Sequence, residues 1–244
     1  MRNHRILTGL GLGAALALGA LGCNEDGTNG SELPPIDRPL TAEKPTYPAG
    51  PYNVQPGDVI ADFAFVGFAN PLLASNELKP ILLSDFYNPH ADDPSYAPGD
   101  PSVDDRLFPK DSPYAAGTPK PRALAIDIGA IWCGPCNYEA KIELPPRRLK
   151  YHPIGGEFLF QLADGATQGV AATQKDLVNW TKKYKVDFPA TIDPDYKLGE
   201  LFVKNAWPAN VIIDTRTMKI VAAVAGVPQA TYWAKFEKLL DVPQ

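Results

Sequence analysis

The strongest constraint on the fold is a continuous apolar run, residues 123–128 (ALAIDI), that comes just before a pair of cysteines. Such a run is typical of a parallel strand buried on both faces. Cys133 and Cys136 follow within ten residues, and a helix is predicted to begin at about Cys133. A buried strand that leads directly into a helix indicates an α/β domain.

Strands and helices are predicted to alternate along the rest of the chain. The order βαβα, followed by a β-hairpin and a last helix, implies a mixed central sheet with helices on both faces. Strands are predicted at 158–162, 210–213 and 220–225, strand-like residues at 59–68 and 81–83, and helices at 173–184, near 198–202 and at 229–240.

The helix that begins at Cys133 contains two consecutive prolines. Tyr138, Ile142 and Leu149 have helical spacing and are predicted to face the core. Pro145 and Pro146 each lack a backbone N–H, so the helix is expected to kink or end there.

The first 57 residues are expected to export and tether the domain. Arg2 and Arg5 precede an uncharged run up to Gly22, which is the order of an export signal. The residues GALGC that end at Cys23 resemble the lipobox of bacterial lipoproteins, which implies cleavage after residues 1–22 and a lipid on Cys23. An ordinary secretory signal with an incidental cysteine is the alternative. Residues 23–57 are rich in Pro and Gly, which predicts an extended tether.

The folded domain is expected to span residues 58–244, with an insertion at 88–122 that contains eight prolines and six aspartates. This composition favours a solvated loop. A calcium site is the alternative, but the spacing of the aspartates matches no EF-hand register.

The overall charge argues against nucleic acid as a partner. The chain has 23 Lys and Arg residues and 28 Asp and Glu residues, which gives a net charge of −5. This balance offers no general cationic surface for a phosphate backbone.

Cys133 and Cys136 carry the predicted chemistry. Two intervening residues on the first turn of a helix bring the two sulfurs within disulfide range. The helix N-terminus places partial positive charge beside Cys133, which favours its thiolate. Cys133 is therefore the predicted nucleophile, and Cys136 the thiol that resolves the mixed disulfide.

The residues Trp132-Cys133-Gly134-Pro135-Cys136 resemble the active-site signature of the thioredoxin superfamily. Asp127 stands where thioredoxins have a buried acid, and Trp207-Pro208 where they have a cis-proline that faces the disulfide. The segments PGDVIADFAF and ILLSDFY resemble the N-terminal β-hairpin of the redoxin branch, which contains TlpA-like and ResA-like extracytoplasmic reductases.

The resemblance implies a thioredoxin-like fold with that hairpin as an extension, and it assigns the site. Cys133, Cys136, Asp127 and Pro208 are implied to be catalytic, and Trp132, Gly134, Pro135 and Trp207 to contact the substrate. The redox-active disulfide is the electron carrier, so neither a cofactor nor a metal is expected.

The family also implies partners and a location. Disulfide-containing exported proteins are the expected clients, and a membrane thiol carrier of the DsbD or CcdA type is the expected electron donor. The expected place is the periplasmic side of the cell envelope, with the domain attached to the membrane by its lipid. Reduction is the expected direction, because the Gly-Pro dipeptide resembles that of strongly reducing thioredoxins.

Other interpretations of the cysteine pair each require residues or a behaviour of their own. A zinc site needs two further ligands, and the mature chain offers only His90 and His152. A covalent haem needs a histidine at position 137, where the chain has Asn137. A thiol peroxidase of the redoxin family needs a threonine at position 130, where the chain has Ala130. A thioredoxin-fold module that binds a partner without turnover is the alternative from a different functional class.

Overall fold

The fold was analysed in a computed structural model. The structure describes residues 46–73, 78–98, 104–110, 112–193, 197–198 and 206–241. The predicted signal peptide, Cys23, most of the predicted tether and nearly all of the helix predicted near 198–202 lie outside these residues. None of the helices within the described ranges is long and apolar enough to span a bilayer.

A seven-stranded mixed sheet forms the centre of the domain. Its strands are β1 (Ala64–Phe68), β2 (Lys79–Leu82), β3 (Ala123–Ala130), β4 (Gly156–Asp164), β5 (Ala190–Ile192), β6 (Ala209–Asp214) and β7 (Lys219–Ala225). The strands lie in the order β2-β1-β5-β4-β3-β6-β7. β4 pairs in parallel with β3 and β5, and the other pairs are antiparallel. The predicted mixed sheet and the N-terminal hairpin, β1–β2, are therefore confirmed.

Helical segments lie on both faces of the sheet. They are α1 (Gly134–Tyr138), a π-helical turn (Glu139–Glu143), α2 (Leu144–Tyr151), α3 (Gln174–Tyr184) and α4 (Ala230–Leu239), together with the 3₁₀ segments Leu83–Phe86 and His152–Ile154. Residues of α1 to α4 pack on one face with Ala123 and Ala125. Leu124 and Ile126 point to the other face, where they pack with the 3₁₀ helix Leu83–Phe86. The alternation along β3 thus separates two apolar cores.

The two prolines change the helix without ending it. The N–H of Leu144 donates to the carbonyl of Glu139, five residues earlier, and α2 then continues as far as Tyr151. Pro145 and Pro146 occupy the first turn of α2, where their missing N–H groups cost little. The predicted kink is therefore a π-helical turn.

The predicted inward face of this helix is wrong. Tyr138, Ile142 and Leu149 are 50%, 47% and 77% exposed. The residues that face the core are Cys136, Glu139, Ala140, Leu144, Arg148 and Tyr151. Two of these six residues are charged, so an apolar pattern alone could not identify the true inward face.

The described parts of the tether and the insertion pack against the domain. The hydroxyl of Tyr47 donates to the carbonyl of Ile60 over 2.9 Å, although sequence assigns residues 46–57 to the tether. In the insertion, Phe108 joins the second core and Asp92 pairs with Arg122 over 2.7 Å. The described part of the insertion is a loop, and its apolar residues Phe108 and Tyr114 pack against the second core. No group of three or more metal-ligating side chains occurs among the described residues.

Candidate active site

A disulfide joins Cys133 and Cys136 where β3 gives way to α1. Cys133 is the N-cap residue of α1, and its Sγ accepts a hydrogen bond from the Cys136 N–H over 3.1 Å. Both cysteines are buried, whereas Gly134 and Pro135 between them are exposed. The exposed surface next to the disulfide is therefore formed in part by Gly134 and Pro135. The N–H groups at this helix end stabilise negative charge on Cys133 after reduction.

Pro208 comes directly before β6, the strand next to β3. Its peptide bond with Trp207 is cis, as predicted. Ala209 pairs with Ile128 of β3, so Pro208 projects just beyond the end of the β3–β6 ladder. The carbonyl of Pro208 accepts a bond from the Gly226 N–H over 2.7 Å, which joins this loop to the end of β7.

Two half-buried tryptophans flank the same surface. The rings of Trp132 and Trp207 meet edge to face, with centroids 5.9 Å apart. The Trp132 Nε1–H donates to Asp164 Oδ2 over 2.9 Å, and that oxygen also accepts the Gly169 N–H. Asp164 therefore orients Trp132. The sequence did not indicate this role, because there Asp164 is only a residue near the end of a predicted strand.

The predicted acid Asp127 lies inside β3 on the helix-covered face. It is 3% exposed, and neither carboxylate oxygen has a hydrogen-bond partner in the described part of the structure. Burial raises the pKa of Asp127 well above its usual range, and the negative charge of Glu139 raises it further. Asp127 is therefore protonated at a pH where an ordinary aspartate is charged.

Glu139 is a second buried acid that sequence reasoning missed. It is 0% exposed, and one oxygen accepts a bond of 3.4 Å from the Asn210 side chain. Burial raises the pKa of Glu139 to about 8, an effect that the hydrogen bond from Asn210 partly offsets. The available signal was its spacing, because a residue three places after Cys136 lies on the same helix face.

Asp127 lies on β3 and Glu139 on the π-helical turn after α1, and β3 and α1 meet near Cys136. A methyl group added at Gly129 would lie 3.4 Å from the Cys136 Cβ, so β3 passes close to this cysteine. Asp127 is two residues before Gly129 and points to the same face of the strand. The buried hydroxyl of Tyr232 has no hydrogen-bond partner in the described part of the structure, and burial together with the charges of Glu139 and Asp127 raises its pKa. Asp127, Glu139 and Tyr232 can therefore hold one proton or more in the part of the core that contains Cys136.

Comparison with solved structures identifies the fold. The crystal structure of a protein assigned as the thiol:disulfide interchange protein DsbE, from Chlorobium tepidum, superposes with a TM-score of 0.51. That match covers 77% of this chain and 99% of the other, at 17% identity. The chain has a thioredoxin fold.

Other thioredoxin-fold structures match over similar lengths. An exposed lipoprotein thioredoxin, Etrx1 from Streptococcus pneumoniae, has a TM-score of 0.45 at 20% identity, over 75% of this chain and 100% of the other. A secreted thiol-disulfide isomerase from Corynebacterium glutamicum has a TM-score of 0.48 at 14% identity, over 76% and 86%. No protein-family model and no curated protein matches the sequence.

The thioredoxin fold brings the predicted site residues to one end of the sheet. Gly134 and Pro135 are exposed and Trp132 and Trp207 half-buried, whereas Cys133, Cys136 and Pro208 are buried and Asp127 lies inside β3. The structure adds Glu139, which is buried three residues after Cys136, and Asp164, which binds Trp132. The roles of these residues remain predictions, and Cys23 lies outside the described residues.

Proposed function

We propose that this protein is a membrane-tethered thiol–disulfide oxidoreductase that reduces the disulfides of exported proteins. One observation carries the proposal: Cys133 and Cys136 form a disulfide at the N-terminus of α1, and the Cys136 N–H donates to Cys133 Sγ. A thiolate at Cys133 is stabilised by this helix end, and a thiolate is the species that attacks a disulfide.

The reaction is two successive thiol–disulfide exchanges. The Cys133 thiolate attacks one sulfur of the client disulfide, which forms a mixed disulfide and releases the second client sulfur as a thiolate. Cys136 then attacks Cys133 Sγ, so that the Cys133–Cys136 disulfide forms and the first client sulfur leaves. The client gains two electrons and two protons, and the dithiol of the protein is oxidised.

The second exchange requires Cys136 to lose a proton inside the protein. Glu139 lies three residues further along the helix, and its pKa of about 8 suits it to accept a proton near neutral pH. Asp127 keeps its own proton more strongly, because burial and the charge of Glu139 both disfavour its ionised form. Glu139 is therefore the proposed base in the resolving step. Asp127 is the proposed neighbouring acid that influences the proton affinity of Glu139.

The direction of electron flow depends on a donor. An oxidised protein outside the cytosol must be reduced again, and the proposed donor is a membrane thiol carrier of the DsbD or CcdA type. The two sulfurs carry the electrons, so the proposal needs no bound cofactor. Trp132, Trp207 and Pro208 form the proposed client surface around the disulfide, together with the exposed Gly134 and Pro135.

The proposed location is the periplasmic side of the cell envelope, with the domain anchored through a lipid on Cys23. The signal-like residues 1–22 and the lipobox-like residues that end at Cys23 support it. Replacing Cys23 by alanine should abolish incorporation of a labelled fatty acid and move the protein from the membrane to the soluble fraction. Full labelling of Cys23→Ala would contradict the anchor and leave the redox proposal untouched.

Trapping the mixed disulfide tests the proposed function. In Cys136→Ser the first exchange can occur and the second cannot, so client proteins should accumulate on Cys133. The measurement is a non-reducing separation of envelope proteins, with adducts released by dithiothreitol and identified by mass. The double variant Cys133→Ser/Cys136→Ser is the control and should give no adducts. Absence of adducts from Cys136→Ser would favour a binding module without turnover.

A further inference from the structure

The side chain of Asn137 connects the loop that carries Cys133 to α3. Its Nδ2 donates to the carbonyl of Ile131 over 2.9 Å and to that of Cys133 over 2.7 Å. Its Oδ1 accepts bonds from Lys183 Nζ, over 3.1 Å, and from the Tyr184 hydroxyl. Two donors and two acceptor positions are all that an amide side chain offers, so Asn137 is fully hydrogen-bonded.

The orientation of this amide follows from chemistry. An ammonium group donates hydrogen bonds and cannot accept them, so the atom of Asn137 that faces Lys183 must be the oxygen. The NH₂ group therefore points at the two carbonyls of the loop. Both carbonyls belong to the turn between β3 and α1, and Cys133 in that turn is the N-cap residue of α1.

A firmly packed helix holds the other end of this connection. Thr173 caps α3 through a reciprocal pair of bonds with Asp176, and Leu177 and Trp180 bury the middle of the helix. The Tyr184 ring packs against Trp180, with centroids 4.6 Å apart, and Lys183 Nζ lies 4.8 Å from the Tyr184 centroid. The two donors to Asn137 are thus presented by the last turn of α3.

Lys183 also brings positive charge toward an acidic site. Carboxyl groups stand on three elements near the cysteines: Asp127 on β3, Glu139 on the π-helical turn and Asp164 behind Trp132. Lys183 polarises the Asn137 amide, and the amide in turn polarises the Cys133 carbonyl. Both effects favour a thiolate at Cys133 over the neutral thiol.

We propose that Asn137, Lys183 and Tyr184 are positioning residues through which α3 holds the Cys133 loop in the geometry that stabilises its thiolate, and thereby raises the reduction potential of the disulfide. This inference rests on the proposed function, since it concerns the potential of the same cysteine pair. Stabilising the thiolate stabilises the reduced protein, so loss of any member makes the disulfide harder to reduce.

The test compares Asn137→Ala, Lys183→Met and Tyr184→Phe with wild type in the full chain. The Asn137→Ala variant should shift the equilibrium with glutathione about tenfold toward the disulfide, which corresponds to about 30 mV. Its reduced form should be alkylated at Cys133 about threefold more slowly near pH ~6, because the thiolate fraction falls. The Lys183→Met and Tyr184→Phe variants should each shift the equilibrium about threefold, and Lys183→Arg should restore it.

Lys182→Met is the matched control, because Lys182 is an exposed residue of the same helix and its loss changes the net charge equally. It should leave the equilibrium unchanged. Adding Lys183→Met to Asn137→Ala should have no further effect, since the connection is already broken. Additive shifts in that double variant, or equal shifts for Lys182→Met and Lys183→Met, would overturn the proposal.

Two results separate this inference from the proposed function. If wild type does not exchange with glutathione at all, the proposed function fails as well. If wild type exchanges and both Lys183→Met and Tyr184→Phe keep its equilibrium constant and alkylation profile, only the positioning role fails. These two substitutions lie at the end of α3 and near the surface. They therefore test the positioning role even if Asn137→Ala does not fold.

Discussion

Replacement of Cys133 by serine is expected to abolish disulfide reduction, with a loss in rate of more than about 10³-fold. A serine hydroxyl is not ionised near neutral pH, so the variant has no nucleophile at the helix N-terminus. The measurement is the rate at which the reduced protein releases thionitrobenzoate from a peptide that carries it as a mixed disulfide. Cys133 is expected to perform the whole of this first exchange.

Cys136→Ser is the matched control, because it removes the resolving thiol and keeps the attacking thiol. It should release thionitrobenzoate at a rate within about threefold of wild type, because the attacking thiolate is intact. It should then stop after one equivalent with the peptide bound to Cys133. A Cys133→Ser protein that releases thionitrobenzoate as fast as Cys136→Ser would show that the order of attack is wrong.

Glu139→Gln is expected to make the protein more stable and less active. The pKa of Glu139 rises from 4.5 in the unfolded chain to about 8 in the folded protein. Between these values the folded state holds a proton that the unfolded state has lost, so the free energy of unfolding falls as pH rises. Glutamine never ionises, and the variant should therefore be more stable by about 4 kcal/mol at pH ~8 and nearly unchanged at pH ~4.

The expected loss of activity distinguishes a base in the resolving step from a buried carboxyl group that only destabilises the fold. Without a base beside Cys136, the resolving exchange should slow by about 10²-fold while the first exchange keeps its rate. Glu143→Gln is the control, since Glu143 lies one turn away and pairs with Arg147 over 2.7 Å near the surface. Its stability should change by less than about 1 kcal/mol. An unchanged resolving rate in Glu139→Gln would rule out its role as the base.

Local sequence patterns predicted most of the fold because each element has its own signal. The apolar run at 123–128 gave β3, and Thr173 with the spacing of Leu177 and Trp180 gave α3 and its cap. The predicted boundaries of the strands mostly lie within two residues of those observed. The cis-proline at Pro208 was predictable only through the resemblance to thioredoxins, since no local pattern specifies it.

The parts that escaped prediction depend on how distant elements meet. Glu139 is a charged residue on a helix, so its residue type predicts exposure, although its spacing places it on the buried face with Cys136. The contacts of Asn137 with Lys183 join residues 46 positions apart, and nothing in either segment indicates the other. The apolar pattern Tyr138–Ile142–Leu149 was misleading, because the true inward face contains Glu139 and a buried arginine.

Redox titration against glutathione, with alkylation and mass measurement of the thiols at each point, tests the central claim most directly. The account predicts one two-electron transition in which Cys133 and Cys136 gain or lose their alkyl groups together, with no species alkylated once at equilibrium. A pair that stays oxidised in excess dithiothreitol, or two cysteines that react independently of each other, would contradict it.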